Sequence, residues 1–158
     1  MDYENSKYGR KAEENFLKGY NCTQAVVLAF SDLHGMEDRE AARLSSSFGG
    51  GMGRLREVCG AVSGMFLVAG MLYGYEAPKD TQGKKEHYAR IQELAKAYEA
   101  ENGSIVCREL LGLDKEREDP VPQERTEEYY RKRPCPKLVH LAAAILEQYI
   151  EEHPIKPL

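Results

Sequence analysis

An uncharged run at residues 58–75, VCGAVSGMFLVAGMLYGY, constrains the fold more than any other segment. Its eighteen residues reach only the lower limit of a membrane-spanning helix. Glycines, together with Cys59 and Ser63, keep its hydrophobicity modest. We therefore predict a buried central helix of a water-soluble domain, in which Gly60 and Gly64 allow another helix to approach closely.

The rest of the chain also shows helical patterns, without strand alternation, internal repeats or low-complexity linkers. Helices are predicted at residues 3–18, 22–33, 38–47, 54–75, 81–101, 104–111 and 136–152, with a short helix or turn at 124–133. A charged loop is expected at 114–123 and a frayed tail at 153–158. The pattern predicts a single all-α domain over residues 1–158, a helical bundle wrapped around the glycine-rich central helix.

Charge and the N-terminal segment limit the partners and the compartment. The formal net charge of −4 provides no broad basic field, so we do not expect nucleic acid as a partner. The first residues, MDYENSKYGRKAEENF, lack the apolar core of a signal peptide. We therefore expect a cytoplasmic protein, and cysteines in such a protein are more often catalytic or metal-binding than disulfide-bonded.

Three of the four cysteines lie where helices are expected to begin. Cys22 follows Asn21, and Gln24 completes a capping-box pattern. Cys107 lies three residues after Ser104, a second candidate N-cap. A helix N-terminus favours the thiolate, which is the form that attacks disulfides and binds metals.

Cys135 has the most cationic surroundings of the four cysteines. It lies between two prolines in the run RKRPCPK, and Pro136 suits the first turn of a helix. Cations such as Arg133 and Lys137 lower the pKa of a nearby thiol. We therefore predict Cys135 to be the most reactive thiol, on an exposed turn.

Cys59 is predicted inside the central helix, about one and a half turns from its start. The following glycines leave room for a partner sulfur, a ligand or a closely packed helix. The chain has no CxxC motif, so a shared site must be assembled by the tertiary fold. Any of the three pairings of four cysteines into disulfides is open at this stage.

A glycine loop precedes the central helix and contains Gly49, Gly50, Gly51 and Gly53. Successive backbone N–H groups in such a loop can bind anions or sulfur clusters. The loop lacks the GK[ST] ending of a P-loop. It is therefore a candidate cofactor-binding loop, with a simple tight connection as the alternative.

Four segments together resemble a known family: GYNCTQAVVLAF, FGGGMGRLREVCGAVSG, ENGSIVCRELLG and CPKLVHLAAAILEQ. They resemble the redox-active protein family named for its C–GCAxxG–C–C cysteine signature, over residues 8–150. Val58 replaces the first glycine of that name, while residues 59–64 fit CGAxxG. The resemblance implies that Cys22, Cys59, Cys107 and Cys135 are the signature cysteines. Members are often encoded near transporter genes, which implies a link to transporters, but the family supplies no agreed substrate, cofactor or reaction.

Three functions are consistent with these residues. The first is a thiol-dependent oxidoreductase, in which one thiolate attacks a disulfide or oxidant and a second cysteine resolves the product. The second is a metalloprotein whose four thiolates hold an iron–sulfur cluster or zinc. The third is a helical interaction module with inert cysteines. The redox partner, a protein or a small oxidant, is not specified by the sequence.

Overall fold

The computed structural model describes residues 2–113 and 118–156, and in this part of the chain helices joined by short loops make up the fold. The helices are α1 (Lys7–Leu17), α2 (Cys22–Ala29), α3 (Ser31–His34), α4 (Asp38–Ser45), α5 (Gly49–Met52), α6 (Gly60–Tyr73), α7 (Thr81–Asn102), α8 (Cys107–Leu110), α9 (Glu127–Lys132) and α10 (Cys135–Glu152). Two 3₁₀ turns lie at Tyr3–Asn5 and Ser46–Phe48. The predicted all-α fold is confirmed.

The glycine-rich helix α6 packs directly against α2. A Cβ atom added at Gly64 would lie 2.9 Å from the Thr23 carbonyl oxygen and from the Val26 Cβ. One added at Gly60 would lie 2.9 Å from the Thr23 hydroxyl, which donates to the Gly60 carbonyl at 2.8 Å. The prediction that these glycines permit a close helix contact is therefore confirmed.

Helix α10 closes the core against α1, α2 and α6. Its buried face includes Val139, Ala142 and Leu146, and α1 contributes Ala12 and Phe16. These small and branched side chains exclude water along the whole contact, which stabilises the helices more than their intrinsic propensities do. The packing also holds the first turn of α10 beside the first turn of α2.

The central helix begins later than predicted. Residue 54 was expected to start it, but α6 starts at Gly60. The preceding segment instead pairs with another loop through an antiparallel bridge between Val58 and Val106. The Cys59 N–H donates to the Ile105 carbonyl at 2.7 Å, and the Cys107 N–H donates to the Glu57 carbonyl at 2.6 Å. This long-range pairing satisfies backbone groups that a helix would otherwise have used.

Other boundaries differ by smaller amounts. The helix predicted at 22–33 is interrupted at Phe30, which separates α2 from α3. The loop predicted at 114–123 and the tail predicted at 153–158 fall partly outside the described residues. Among the described residues, none of the helices has the length and apolar character needed to cross a bilayer. The buried placement of α6 agrees with the predicted core helix.

Candidate functional site: a cavity lined by four cysteines

The four cysteines line one cavity of about 380 Å³. The starts of α2, α6, α8 and α10 meet there, and each presents one cysteine: Cys22, Cys59, Cys107 and Cys135. Cys59 occupies the N-cap position of α6 rather than its interior, so all four thiols lie at helix starts. The fold thus assembles a shared site from cysteines that are far apart in the sequence.

The start of α2 forms as its sequence predicts. The Asn21 side chain accepts the Gln24 N–H at 2.9 Å, and the Gln24 side chain accepts the Asn21 N–H at 3.1 Å. This reciprocal capping box places Cys22 at the first helical position. The Asn21 amide also donates to the Ser46 carbonyl at 3.1 Å, which fixes the start of α2 against the segment before the glycine loop.

The start of α8 differs from the prediction. Ser104 is not its N-cap, because Val106 precedes the first helical residue, Cys107. The Ser104 hydroxyl instead accepts the Val106 N–H at 2.9 Å. The pairing with residues 57–59 orients this turn so that Cys107 faces the cavity.

Cys135 is the first residue of α10, one position before the predicted start, and Pro134 precedes it. The prediction of an exposed thiol is wrong, since Cys135 is 8% exposed. The basic run suggested a solvated turn, but α10 packs onto α1 and α2 from its first turn onward. Cys135 therefore faces the cavity rather than the outer surface.

The glycine loop has an unusual backbone. Five consecutive residues, Gly50 to Arg54, have φ between 61° and 72°, the left-handed region. A Cβ atom at Gly51 would lie 2.7 Å from the Cys107 Cβ, so only glycine fits there. Strained stretches of this kind persist where the surrounding structure holds them, often at functional sites.

The predicted loop glycines take different positions around the site. Gly49, Gly50 and Gly53 line the cavity, whereas Gly51 packs behind Cys107. The Gly50 backbone N–H acts to lower the pKa of Cys22, against the larger effects that raise it. Binding of a cofactor by this loop stays a prediction.

Cys22 and Cys135 form a thiol pair. Interaction with Cys135, reinforced by burial, raises the pKa of the Cys22 thiol well above its ordinary value. The same interaction lowers the pKa of Cys135, although burial acts in the opposite direction. The pairing therefore favours ionisation of Cys135 before Cys22.

Cys59 and Cys107 have different partners. Burial raises the pKa of Cys59 to about 12, despite a hydrogen bond with the Tyr98 hydroxyl at 3.5 Å. Burial also raises the pKa of Cys107, while Arg56 Nη1 donates to its sulfur at 3.5 Å and acts against that shift. These two thiols are protonated at neutral pH.

Cationic side chains line the same cavity. Its lining among the described residues includes no Asp or Glu but includes four arginines: Arg54, Arg56, Arg125 and Arg133. Of these, the sequence directed attention only to Arg133, as a neighbour of Cys135. Arg54 and Arg56 follow the glycine loop, and Arg125 lies in a charged segment much later in the chain. No sequence pattern indicates that these three side chains meet. Tyr98 of α7, which no motif singled out, is likewise the partner of Cys59.

The donor set suits a thiolate-bound metal chemically, but the observed arrangement does not form a ligand cage. Within residues 2–113 and 118–156, no group of three or more Cys, His, Asp or Glu side chains is arranged to hold a metal ion. Cys59 and Cys107 are instead directed at Tyr98 and Arg56. Ligation of an iron–sulfur cluster or zinc by Cys22, Cys59, Cys107 and Cys135 therefore stays a prediction.

Comparison with known proteins supports the assignment made from the cysteine pattern. No curated protein and no solved structure matches this chain. A family model described as "Putative redox-active protein (C_GCAxxG_C_C)" matches residues 20–149. This range contains all four cysteines and every residue that lines the cavity except Phe16. The chain belongs to the C_GCAxxG_C_C family.

Proposed function

We propose that this protein is a thiol–disulfide oxidoreductase in which Cys135 attacks and Cys22 resolves. The observation that carries the proposal is that Cys22 and Cys135 line one cavity and interact with each other there. One member of the pair has a lowered pKa and the other a raised pKa. A nucleophile beside a protonated second thiol is the arrangement that disulfide exchange requires.

The reaction proceeds in two exchanges. The Cys135 thiolate attacks one sulfur of a disulfide R–S–S–R′, forming an R–S–Cys135 mixed disulfide and releasing R′–S⁻. Cys22 then loses its proton to solvent or to the released thiolate and attacks the Cys135 sulfur. The products are a Cys22–Cys135 disulfide and R–S⁻. The two protein thiols have supplied the two electrons that reduce the substrate disulfide, and an external dithiol returns the protein to its starting state.

Cys59 and Cys107 act as supporting thiols in this proposal. Their raised pKa values leave them protonated at neutral pH, so they do not compete with Cys135 for the first attack. Both line the cavity, and negative charge on either sulfur raises the pKa of Cys135. Their sulfurs remain available for a later exchange with the Cys22–Cys135 disulfide.

Trapping the intermediate tests the proposal. Reduced protein is mixed with 2-hydroxyethyl disulfide, quenched with acid and analysed by mass spectrometry after proteolysis. The natural chain should yield a Cys22–Cys135 disulfide, and Cys22→Ser should accumulate the mixed disulfide on Cys135. Cys59→Ser serves as the matched control and should behave like the natural chain. A mixed disulfide on Cys59 or Cys107 in Cys22→Ser would contradict the assignment.

The metalloprotein alternative is tested on the same reduced protein. The shared cavity supports it, because one bound ion would need all four thiols in one place. Stoichiometric zinc that protects all four cysteines from alkylation, or the visible absorbance of thiolate-bound iron, would replace the exchange proposal. A cytoplasmic location and a link to transporters stay predictions.

A further inference from the structure

The thiol cavity carries positive charge that is only partly balanced. Arg54 and Arg56 share Glu118, with N–O distances of 2.7 and 2.9 Å. Arg125 and Arg133 have no carboxylate within salt-bridge distance among the described residues. A guanidinium that faces a cavity without a carboxylate partner favours an anion there.

The two unbalanced arginines are nevertheless held in place. Arg125 donates to the Tyr20 carbonyl at 2.7 Å and to the Phe16 carbonyl, and its guanidinium stacks over the Phe16 ring. Arg133 donates to the Gln123 side chain at 2.9 Å. Neutral acceptors fix their positions without cancelling their charge, so both are preorganised for a charged ligand.

Burial of the sulfurs limits the size of that ligand. Cys59, Cys107 and Cys135 are 5%, 7% and 8% exposed. A disulfide on the surface of a folded protein cannot bring its sulfur atoms into line with such a thiolate without opening the site. A cavity of about 380 Å³ instead matches the lower range of small-molecule sites.

We propose that the substrate is a small disulfide that carries carboxylates, with its sulfurs at the Cys22–Cys135 pair and a carboxylate at Arg133 and Arg125. This inference rests on the proposed function, because it names the substrate class for the same pair. The shared cavity lining of these residues supports it. The bidentate fit of guanidinium to carboxylate gives the preference a geometric as well as an electrostatic basis.

Three disulfides of nearly equal size and different charge test the inference. They are 3,3′-dithiodipropionate, which is anionic, 2-hydroxyethyl disulfide, which is neutral, and cystamine, which is cationic. Rates of oxidation of the reduced protein are measured at low ionic strength. Each rate is divided by that of the same disulfide with 2-mercaptoethanol, so that intrinsic reactivity cancels. The normalised rate should be about tenfold higher for the anion than for the neutral disulfide, lowest for the cation, and the preference should shrink as salt is added.

Arg133→Gln identifies the charge responsible. It should reduce the anionic-to-neutral rate ratio roughly threefold to tenfold, and Arg133→Lys should restore most of that ratio. The ratio is the readout because loss of Arg133 also affects the Cys135 thiolate, which slows all three disulfides together. Arg131→Gln makes the same change in charge on an exposed side chain outside the cavity lining and should leave the ratio unchanged.

The outcomes separate the two proposals. Equal normalised rates for all three disulfides, or a ratio unchanged by Arg133→Gln, would overturn the substrate assignment and leave the exchange reaction standing. Absence of Cys22–Cys135 oxidation by any of the three would overturn the exchange reaction itself. Faster oxidation by a folded protein disulfide than by the small anion would also overturn the substrate assignment.

Discussion

The two halves of the cavity both place cysteines at helix starts, yet the pKa values of the thiols differ. On one side, Cys22 and Cys135 begin α2 and α10 and interact with each other, and the pKa of Cys135 is lowered while that of Cys22 is raised. On the other side, Cys59 caps α6 and Cys107 begins α8. They contact Tyr98 and Arg56, and both pKa values are raised. Position at a helix start therefore does not decide the reactivity of these thiols.

The nearest polar partner and the burial of the sulfur decide it instead. Burial raises the pKa of all four thiols, and at Cys135 the interaction with Cys22 outweighs this effect. The Tyr98 hydroxyl and the Arg56 guanidinium act in the same direction on Cys59 and Cys107 but do not exceed the effect of burial. Cys135 is thus the thiol prepared to attack, and the other three stay protonated.

The largest expected effect is on alkylation. Cys135→Ser should lower the initial rate of reaction with iodoacetamide at neutral pH by roughly a hundredfold or more, because the remaining thiols are largely protonated. Mass spectrometry after a brief pulse measures the rate and the order of labelling. Cys59→Ser should leave the rate unchanged, and protein unfolded in guanidinium should label at all four positions. Earlier labelling of Cys59 or Cys107 in the folded protein would reverse the comparison.

The next effect concerns the packing that holds the two halves together. Gly64→Leu should cost roughly 1–3 kcal/mol or more of unfolding free energy, because its side chain would collide with Val26 and the Thr23 carbonyl. Urea denaturation measures this cost. Gly70→Leu makes the same change in α6 where no atom lies within 4 Å of the added Cβ, and it should not destabilise the protein. Equal stability of the two variants would remove the α2–α6 contact from the explanation.

A smaller effect should follow from removing the thiol partner of Cys135. Because the interaction with Cys22 is the main cause of the lowered pKa, Cys22→Ala should move the alkylation midpoint of Cys135 to higher pH. The rate at neutral pH should fall about threefold to tenfold. Cys22→Ser keeps a hydroxyl donor and should shift the midpoint less. An unchanged pH profile in Cys22→Ala would mean that the neighbouring cations, rather than the thiol pair, activate Cys135.

The smallest effect is on stability at alkaline pH. The pKa of Cys59 is about 12 in the folded protein, above the ordinary thiol value near 8.5. Its contribution to stability is therefore complete below pH 8.5 and is lost progressively as the pH rises towards 12. Relative to Cys59→Ala, the natural chain should lose about 1 kcal/mol between pH 8 and 9.5. Thermal unfolding measures the difference, and parallel curves for the two proteins would contradict the buried, protonated state of Cys59.

Local signals in the sequence were sufficient for part of the site. The capping box of Asn21 and Gln24 and the prolines around Cys135 identify two helix starts without any tertiary information. The uncharged, glycine-containing run likewise predicts a buried helix, because its modest hydrophobicity suits a protein core better than a membrane. The cysteine pattern indicated the family, and the matched range confirms it.

Long-range contacts determine what the sequence did not predict. Cys59 was assigned to a helix interior because the helix was predicted to start at residue 54, and the pairing of Val58 with Val106 leaves no local signal. The basic run around Cys135 indicated an exposed turn, although the packing of α10 buries the sulfur. The roles of Arg56 and Tyr98 depend on elements that lie far away in the sequence, so no spacing rule could identify them.

The positions of Cys22 and Cys135 along the chain set the order in which reactivity arises during folding. Cys22 emerges early in synthesis and Cys135 late, and the two sulfurs meet only when α10 docks on α1 and α2. Until that docking, neither thiol has the partner that shifts its ionisation. In an incompletely folded chain the four cysteines therefore have ordinary pKa values, and Cys135 is not the preferred site of attack. The alkylation rate of Cys135 consequently reports the completion of folding as well as the chemistry of the mature protein.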